Sequence, residues 1–291
     1  MSVKHPIISV TGASGAGTST VRHTFDQIFR REGVKAAMGG GDAFHRYKRE
    51  GMDAAMDAAA AAGNPNFSHF GPEANLFTEL ESLFALYSET GRGRFRHYIH
   101  TDEEAEAMGA ASGTFTEWQD MPEPTDLLLY EGLHGALVTD QVNIARFADL
   151  KIGVVPVINL EWIQKIRRDK AARGYSTEAV TDTILRRMPD YINYICPQFT
   201  ETDINFQRVP TVDTSNPFIA RWIPTLDESL VVIRFRDPHG IDFAYLISMI
   251  HDSFMSRANS IVIPGNKLDL GMQLILTPLI NRLIERKRRA S

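Results

Sequence analysis

Residues 6–20 read Pro6-Ile7-Ile8-Ser9-Val10-Thr11-Gly12-Ala13-Ser14-Gly15-Ala16-Gly17-Thr18-Ser19-Thr20. The apolar run at residues 7–10 predicts a strand, and apolar side chains at helical spacing behind the glycines, up to Gly33, predict a helix. Glycine adopts backbone angles that are closed to other residues, so successive N–H groups can point at a phosphate on the positive end of the helix. The stretch therefore predicts a strand, a phosphate-binding loop and a helix.

The spacing of Gly12, four residues, Gly17, one residue and Ser19 fits the loop that binds nucleoside triphosphates, and the Ser19 hydroxyl stands where that loop binds magnesium. Thr18 occupies the position where the motif has lysine. The cation that meets the β- and γ-phosphates must therefore come from elsewhere or be missing. A glycine-rich turn in a Rossmann-like domain is the alternative, but the strand and the helix are the context that the triphosphate motif requires.

The composition is that of a globular protein with a full hydrophobic core. With 291 residues, 43% of them hydrophobic and 23% charged, the chain can form one large domain or two small ones. No linker, repeat or low-complexity segment divides it, so we expect a single domain with insertions over residues 1–291. A formal net charge of −5 argues against a mainly electrostatic nucleic-acid binder.

The location expected from the sequence is the cytoplasm. No signal peptide precedes the first predicted strand, and no apolar stretch reaches the roughly 20 residues of a membrane span. Cys196 is the only cysteine, which excludes an internal disulfide and a cysteine-rich metal site. The basic run at residues 286–289 fits the end of a last helix, where it complements the helix dipole.

Two carboxylates follow predicted strands. Asp42 comes after a short strand at residues 34–38 and three glycines, and Glu131 ends the apolar strand at residues 127–130. Open α/β sheets bind ligands at the carboxyl ends of their strands. Asp42 can accept a proton from an acceptor hydroxyl, although an aspartate after a strand is as often a helix cap. Glu131 resembles the acid of the second nucleotide-triphosphatase motif, which binds magnesium.

A helix predicted from about residue 161 to Gly174 carries charged residues on one face. Lys165, Arg168, Asp169 and Arg173 fall at helical spacings. They can close over a nucleotide and supply the cation that Thr18 cannot. A charged helix face is more often only solvated, and the missing lysine of the loop is what favours the functional interpretation.

The segment at residues 92–100 combines three arginines and two histidines with aromatic residues. It can recognise a sugar phosphate, with arginines for the phosphate and with Tyr98 and His100 for hydroxyls. A solvated hairpin is the alternative.

The remaining pattern predicts helices and strands of ordinary length. Helices are expected at residues 52–63, 73–89, 241–254 and 268–286, and strands at residues 151–160, 230–235 and 260–264. Pro278 is expected to kink or divide the last helix.

With these residues in view, the chain resembles the bacterial-type phosphoribulokinases over essentially its whole length. The loop at residues 9–20 carries part of this resemblance. Further matching stretches are Gly41-Asp42-Ala43-Phe44-His45-Arg46, Tyr130-Glu131-Gly132-Leu133-His134-Gly135, Asn159-Leu160-Glu161-Trp162-Ile163-Gln164-Lys165-Ile166, Arg173-Gly174-Tyr175, Asp203-Ile204-Asn205-Phe206-Gln207-Arg208-Val209-Pro210 and Asp213-Thr214-Ser215-Asn216-Pro217-Phe218. The bacterial branch also has threonine at the position of Thr18.

The resemblance implies an α/β P-loop kinase of the nucleoside and nucleotide kinase type, with a mixed, mostly parallel sheet flanked by helices. It implies ATP and Mg²⁺ as cofactors and transfer of the γ-phosphoryl group to the 1-hydroxyl of ribulose 5-phosphate. The product is ribulose 1,5-bisphosphate, which serves carbon fixation in the Calvin-Benson cycle.

Roles for individual residues also follow from the resemblance. Asp42, Asp169 and Lys165 match catalytic positions, and Ser19, Glu131 and Asp42 match positions associated with the metal. Positions tied to ribulose 5-phosphate match His45, Arg49, Tyr98 and His100. The nucleotide-binding positions match Gly12, Ala13, Ser14, Gly15, Ala16, Gly17, Thr18, Ser19, Thr20, Arg168 and Arg173.

Regulation and assembly are implied in the same way. Family members of the bacterial type are activated by NADH, inhibited by AMP and octameric, and the arginines tied to that response match Arg31, Arg234 and Arg257. The lone cysteine agrees with this type, because the thiol–disulfide control of the plant branch needs two.

One position departs from the family pattern. Asp53 stands where the family has a lysine that helps to hold the sugar phosphate, and a like charge there should weaken binding. The alternatives are a uridine kinase-like nucleoside kinase and a nucleotide-binding regulatory protein with weakened catalysis. The presence of Asp42, Glu131, Lys165 and Asp169 together argues against the second alternative.

Overall fold

The computed structural model describes residues 4–13 and 18–290, and of residues 18–20, 172 and 173 it describes the backbone alone. The strands are β1 (Ile7–Thr11), β2 (Ala36–Gly40), β3 (Arg94–Phe95), β4 (Gln119–Asp120), β5 (Leu127–Gly132), β6 (Leu150–Val155), β7 (Ile204–Pro210), β8 (Ser229–Phe235), β9 (Phe254–Arg257) and β10 (Ser260–Pro264). The α-helices are α1 (Thr18–Glu32), α2 (Arg49–Ala61), α3 (Phe77–Thr90), α4 (Asp102–Met108), α5 (Ile158–Arg173), α6 (Thr177–Asp190), α7 (Gln198–Glu201), α8 (Phe243–Met249) and α9 (Leu268–Ala290). Single 3-10 turns lie at Gly41–Phe44, Pro72–Ala74, Ile144–Arg146 and Gly265–Lys267, and a π-helical turn lies at Tyr191–Ile195.

A mixed sheet forms the centre of the fold. Its strand order is β2-β5-β1-β6-β7-β8-β10-β9, and β3 and β4 form a separate small sheet. The pairs from β2 to β7 are parallel, whereas β8, β10 and β9 add antiparallel pairs. This arrangement confirms the expected mixed, mostly parallel sheet.

Helices cover both faces of the sheet. Successive side chains of a strand point to opposite faces, so each strand contributes to both cores. Ile8 and Val10 of β1 pack in a core with residues of α1 and α9. Ile7 packs on the other face, in a core that includes Leu80 and Phe84 of α3. Burial on both faces explains why β1 and β5 are continuous apolar runs. No described helix has the length and the apolar character needed to cross a bilayer.

Several expected boundaries are wrong. The strand expected at residues 151–160 ends at Val155, because Pro156 has no N–H for the ladder, and residues 158–160 belong to α5. The helix expected at residues 52–63 begins at Arg49, and the one expected from residue 73 begins at Phe77, since Pro72–Ala74 form a separate 3-10 turn.

The C-terminal third differs from expectation in two places. The helix expected at residues 241–254 is limited to α8, because the backbone turns at Asp252 with a φ of 62° before β9 begins. Pro278 does not divide α9, which is continuous from Leu268 to Ala290. Buried side chains on either side of Pro278, including Leu276 and Ile280, keep the helix packed on the sheet.

Candidate active site

The carboxyl ends of three parallel strands meet at one edge of the sheet. Glu131 of β5 is in register with Val10 of β1 on one side and with Gly40 of β2 on the other. The N–H group of Gly12 donates to the carbonyl of Gly132 at 3.3 Å. The start of the predicted phosphate loop therefore lies beside Glu131, and Asp42 follows β2 at the same edge.

Two glycines allow the close approach of β2 and β5 at this edge. A Cβ atom on Gly132 would lie 2.6 Å from the Cα atom of Gly41, and one on Gly41 would lie 2.7 Å from the Cα atom of Gly132. The hydroxyl of the fully buried Tyr130 occupies the remaining space, 2.6 Å from such an atom on Gly132. Since backbone cannot give way as a flexible side chain does, both positions require glycine.

Asp42 lies in the 3-10 turn Gly41–Phe44, with half of its side chain exposed (50%). Its Oδ1 atom is 3.1 Å from Nε2 of His45, and its Oδ2 atom is 3.0 Å from Nε2 of His100. Burial raises the pKa of this carboxyl, but the hydrogen bonds with His100 and His45 outweigh burial, so that the pKa is lowered. The hydrogen bond with Asp42 is also the main cause that raises the pKa of His100. Asp42 is therefore a carboxylate at neutral pH.

The residues associated with the sugar phosphate by resemblance lie around Asp42. Arg49 donates from Nη2 to the carbonyl of His100 at 3.0 Å. The ring of Tyr98 meets that of His100 edge to face, with centroids 4.8 Å apart. With His45, these residues form one contiguous group, which we call the acceptor cluster: His45, Arg49, Tyr98 and His100. The fold thus brings a turn, a helix and a loop together at the Asp42 carboxylate.

The arginines of the 92–100 segment have structural partners. Arg96 donates to the carbonyls of Ala43 and His45 at 2.9 and 2.8 Å, and its guanidinium lies over the ring of Phe115. Arg96 therefore holds the turn that carries Asp42. The strand β3 of this segment pairs antiparallel with β4, which lies beyond α4 in the chain, so the segment does not form a hairpin by itself.

A second charged cluster lies on α5. Lys165 donates to Oδ2 of Asp169 at 2.5 Å, and Arg168 donates to Oδ1 at 3.2 Å. The Asp169 side chain is only 3% exposed. Burial raises its pKa, but the hydrogen bond and the charge of Lys165 and the charge of Arg168 lower the pKa overall. Helical spacing of i and i+4 places Lys165 and Asp169 on one face, as the sequence predicts.

Sequence reasoning missed the residues between the two clusters. Burial lowers the pKa of Lys165, and the charge of Arg187 on α6 lowers it further. Burial also lowers the pKa of His69 to about 3, to which the charges of His45 and Arg187 contribute. The charge of Arg187 thus acts on Lys165 of the α5 cluster and on His69, whose ring lies beside that of His45. Its sequence signal is weak, because basic residues on a helix are usually solvated.

Part of the predicted nucleotide loop is described. Gly12 follows β1 directly, and Ala13 is fully buried among Phe70, Tyr191 and Ile195. Ser14, Gly15, Ala16 and Gly17 lie outside the described residues, and the side chains of Thr18, Ser19, Thr20 and Arg173 lie outside the described side chains.

The donor set at the edge fits magnesium bound together with a nucleotide. Mg²⁺ is usually held by one or two carboxylates plus substrate phosphates and water. Glu131 and Asp42 lie at the same edge of the sheet, and among the described residues no group of three His, Cys, Asp or Glu side chains could hold a metal. Glu131 and Asp42 would hold the ion, and the nucleotide phosphates would complete its coordination.

Of the three arginines that the resemblance associates with regulation, two lie close together on the sheet and the third lies elsewhere. Arg234 of β8 and Arg257 of β9 are both in register with Ser260 of the intervening β10, and both are exposed. Arg31 donates instead to Gln273 and Thr277 of α9.

The P-loop kinases have a parallel sheet with a helix after its central strand. They also have carboxylates at the carboxyl ends of the neighbouring strands, as this chain does.

The model of the phosphoribulokinase / uridine kinase family matches residues 7–215. A phosphoribulokinase from Nitrobacter vulgaris is 71% identical over 287 residues, which cover 99% of this chain and 99% of the relative. Phosphoribulokinase 1 from Cereibacter sphaeroides is 70% identical over 284 residues, which cover 98% of each chain.

A solved structure of phosphoribulokinase from Rhodobacter spheroides superposes with a TM-score of 0.92 at 66% identity and covers 99% of this chain and 100% of that one. The chain belongs to the phosphoribulokinase / uridine kinase family and, within it, to the bacterial phosphoribulokinases.

Proposed function

We propose that the chain transfers the γ-phosphoryl group of ATP to the 1-hydroxyl of ribulose 5-phosphate. The observation that carries the proposal is the Asp42 carboxylate, which lies where β2 ends beside β5 and β1 and is held ionised by His45 and His100. Relatives that are called phosphoribulokinase and match at 65–71% identity over 98–100% of this chain support the choice of acceptor.

Asp42 acts as the general base in this reaction. It takes the proton of the acceptor hydroxyl as the O–H bond breaks, and the oxygen forms a bond to the γ-phosphorus. The bond from the γ-phosphorus to the bridging oxygen breaks, and ADP leaves with that electron pair. His45 and His100 orient the carboxylate so that one of its oxygens can face the hydroxyl.

Lys165 supplies the positive charge that Thr18 lacks, and Asp169 orients the Lys165 ammonium group through their hydrogen bond of 2.5 Å. Arg168 and Arg173 contact the nucleotide from the same helix. Glu131, Ser19 and Asp42 would hold Mg²⁺, which would offset the negative charge of the phosphates.

The acceptor cluster binds the sugar phosphate. Arg49 and the histidines provide donors for phosphate and hydroxyl oxygens, and Tyr98 packs beside them. Because Arg49 is exposed and donates to a backbone carbonyl in the free chain, it can turn to a phosphate without leaving a buried group unpaired.

A coupled assay of ADP release tests the acceptor. With ATP and Mg²⁺ present, we expect turnover with ribulose 5-phosphate and none above background with uridine. Turnover with uridine alone would identify a nucleoside kinase, and binding of ATP without turnover on either acceptor would identify a regulatory protein.

The chain is also proposed to act as a single kinase domain in a cytoplasmic octamer that NADH activates and AMP inhibits. The register of Arg234 and Arg257 on either side of β10 supports a common anion site, because two guanidiniums on one sheet face can share a pyrophosphate. Arg31 would join them from another subunit.

A further inference from the structure

Asn75 lies behind the acceptor cluster and is almost fully buried (3% exposed). It follows the 3-10 turn Pro72–Ala74, and its side chain makes three hydrogen bonds. Nδ2 donates to the carbonyls of His69 at 2.8 Å and Gly71 at 2.7 Å, and Oδ1 lies 2.9 Å from Nδ1 of His45.

These contacts determine which way the amide points. Exchange of Oδ1 and Nδ2 would set an oxygen acceptor against two carbonyl oxygens and leave both without a donor. Oδ1 of Asn75 therefore faces His45 and can only accept. Nδ1 of His45 must carry a hydrogen, and Nε2, on the other side of the ring, is the atom that donates to Asp42.

The backbone around Asn75 holds both residues in place. The N–H of Arg46 donates to the carbonyl of Ala74, the N–H of Leu76 donates to the carbonyl of Phe44, and His45 and Asn75 form an antiparallel bridge. Asn75 thus joins the start of α3 to the turn that carries Asp42.

We propose that Asn75 is a positioning residue that fixes the ring orientation of His45, and this proposal rests on the proposed role of Asp42. The Nε2 atom of His45 then faces Oδ1 of Asp42 at 3.1 Å and donates to it. Without Asn75 the ring can rotate, and the Asp42 carboxylate loses its fixed direction toward the acceptor hydroxyl. A misdirected base lowers turnover more than it lowers binding.

The first experiment compares Asn75→Leu with a matched control. Asn205 is another buried asparagine, whose Nδ2 donates to the carbonyl of Phe199 and whose Oδ1 accepts from Thr202. Both leucine variants should unfold at lower temperature, because both remove the hydrogen bonds of a buried side-chain amide. Only Asn75→Leu should lower kcat, by about 10- to 100-fold per folded molecule, with the KM for ATP changed less than about twofold.

A double-mutant cycle tests whether the effect passes through His45. In the His45→Phe background, Asn75→Leu should lower kcat no further, because the ring nitrogen that it positions is gone. A full additional loss in that background, or wild-type kcat in Asn75→Leu alone, would overturn the proposal even though phosphorylation of ribulose 5-phosphate still stands.

Neutron diffraction on wild-type crystals covers the case in which the variants do not fold. We expect a hydrogen on Nδ1 of His45 directed at Oδ1 of Asn75, and a bare Nδ1 would refute the proposal. A chain with this hydrogen but without turnover on ribulose 5-phosphate would contradict the proposed function while leaving the contact of Asn75 with His45 in place.

Discussion

Asp42 and Asp169 are two carboxylates with lowered pKa values in different surroundings. Asp42 is half-exposed at the edge of the sheet, where two histidines donate to it. Asp169 is 3% exposed on α5, where a lysine and an arginine donate to it. A carboxylate that water reaches can also be reached by a substrate hydroxyl, whereas one enclosed by fixed cations serves to hold those cations. The comparison explains why we place the general base at Asp42 and an orienting role at Asp169.

The largest expected effect is that of Asp42→Asn. The amide cannot take the proton of the acceptor hydroxyl, so turnover should fall about 10²- to 10⁴-fold, while ATP binding stays nearly unchanged. Steady-state kinetics and an ATP titration measure the two effects. Wild-type turnover in this variant would remove the assignment of the base.

Asp169→Asn should chiefly reduce stability. It leaves the Lys165 ammonium group, which is 11% exposed, without its carboxylate, and the free energy of unfolding should fall by about 3 kcal/mol. Asp203→Asn is the control, because Asp203 pairs with Lys151 at 3.2 Å but is 34% exposed, so that its loss should be smaller. Urea unfolding of both variants checks this order, and equal losses would mean that burial of the pair is not what matters.

His134 should make the free energy of unfolding depend on pH. Burial lowers the pKa of His134 to about 3, and the unfolded value is about 6.5. Between these values the unfolded chain binds a proton that the folded chain does not, so stability is lost as the pH falls, by about 1.4 kcal/mol per pH unit from this residue. Glutamine at this position keeps a donor for the carbonyl of Phe70 but does not titrate. Urea unfolding at several pH values should give a shallower slope for His134→Gln than for wild type, and identical slopes would contradict the assignment.

A third carboxylate, Asp53, is exposed. It lies one turn after Arg49 on the same face of α2. If its charge opposes the sugar phosphate, Asp53→Lys should lower the KM for ribulose 5-phosphate about two- to fivefold and leave the KM for ATP unchanged. Asp57→Lys, one turn farther from Arg49, is the control and should have less effect. A change in the KM for ATP would show that this face of α2 does not meet the acceptor.

The smallest expected effect concerns the proposed regulatory site, which contains neither Asp42 nor Asp169. NADH should raise the activity and AMP should compete with it, and Arg257→Ala should reduce the response while basal turnover persists. Rates measured against NADH concentration in both proteins test this. A flat response of the wild-type chain at all pH values would defeat the regulatory proposal without affecting the kinase assignment.

The local sequence was sufficient where a pattern is continuous along the chain. Residues 6–13 contain the predicted strand and the start of the loop, and α1 ends before Gly33 as expected. The apolar run that ends at Glu131 is β5, and the resemblance to phosphoribulokinases was readable from short motifs. Patterns failed where one residue changes the backbone course, as Pro156 does before α5 and Asp252 before β9.

The sequence by itself determined the type of fold and the family, because strand periodicity, the glycine spacing and the motifs are local properties of the chain. Only the tertiary structure decided that His100 contacts Asp42, that Asn75 holds His45 and that Arg96 supports their turn. The physical reason is that these contacts join segments far apart in the chain. Their meeting depends on the order of the strands and on the packing of α3, which no local pattern specifies.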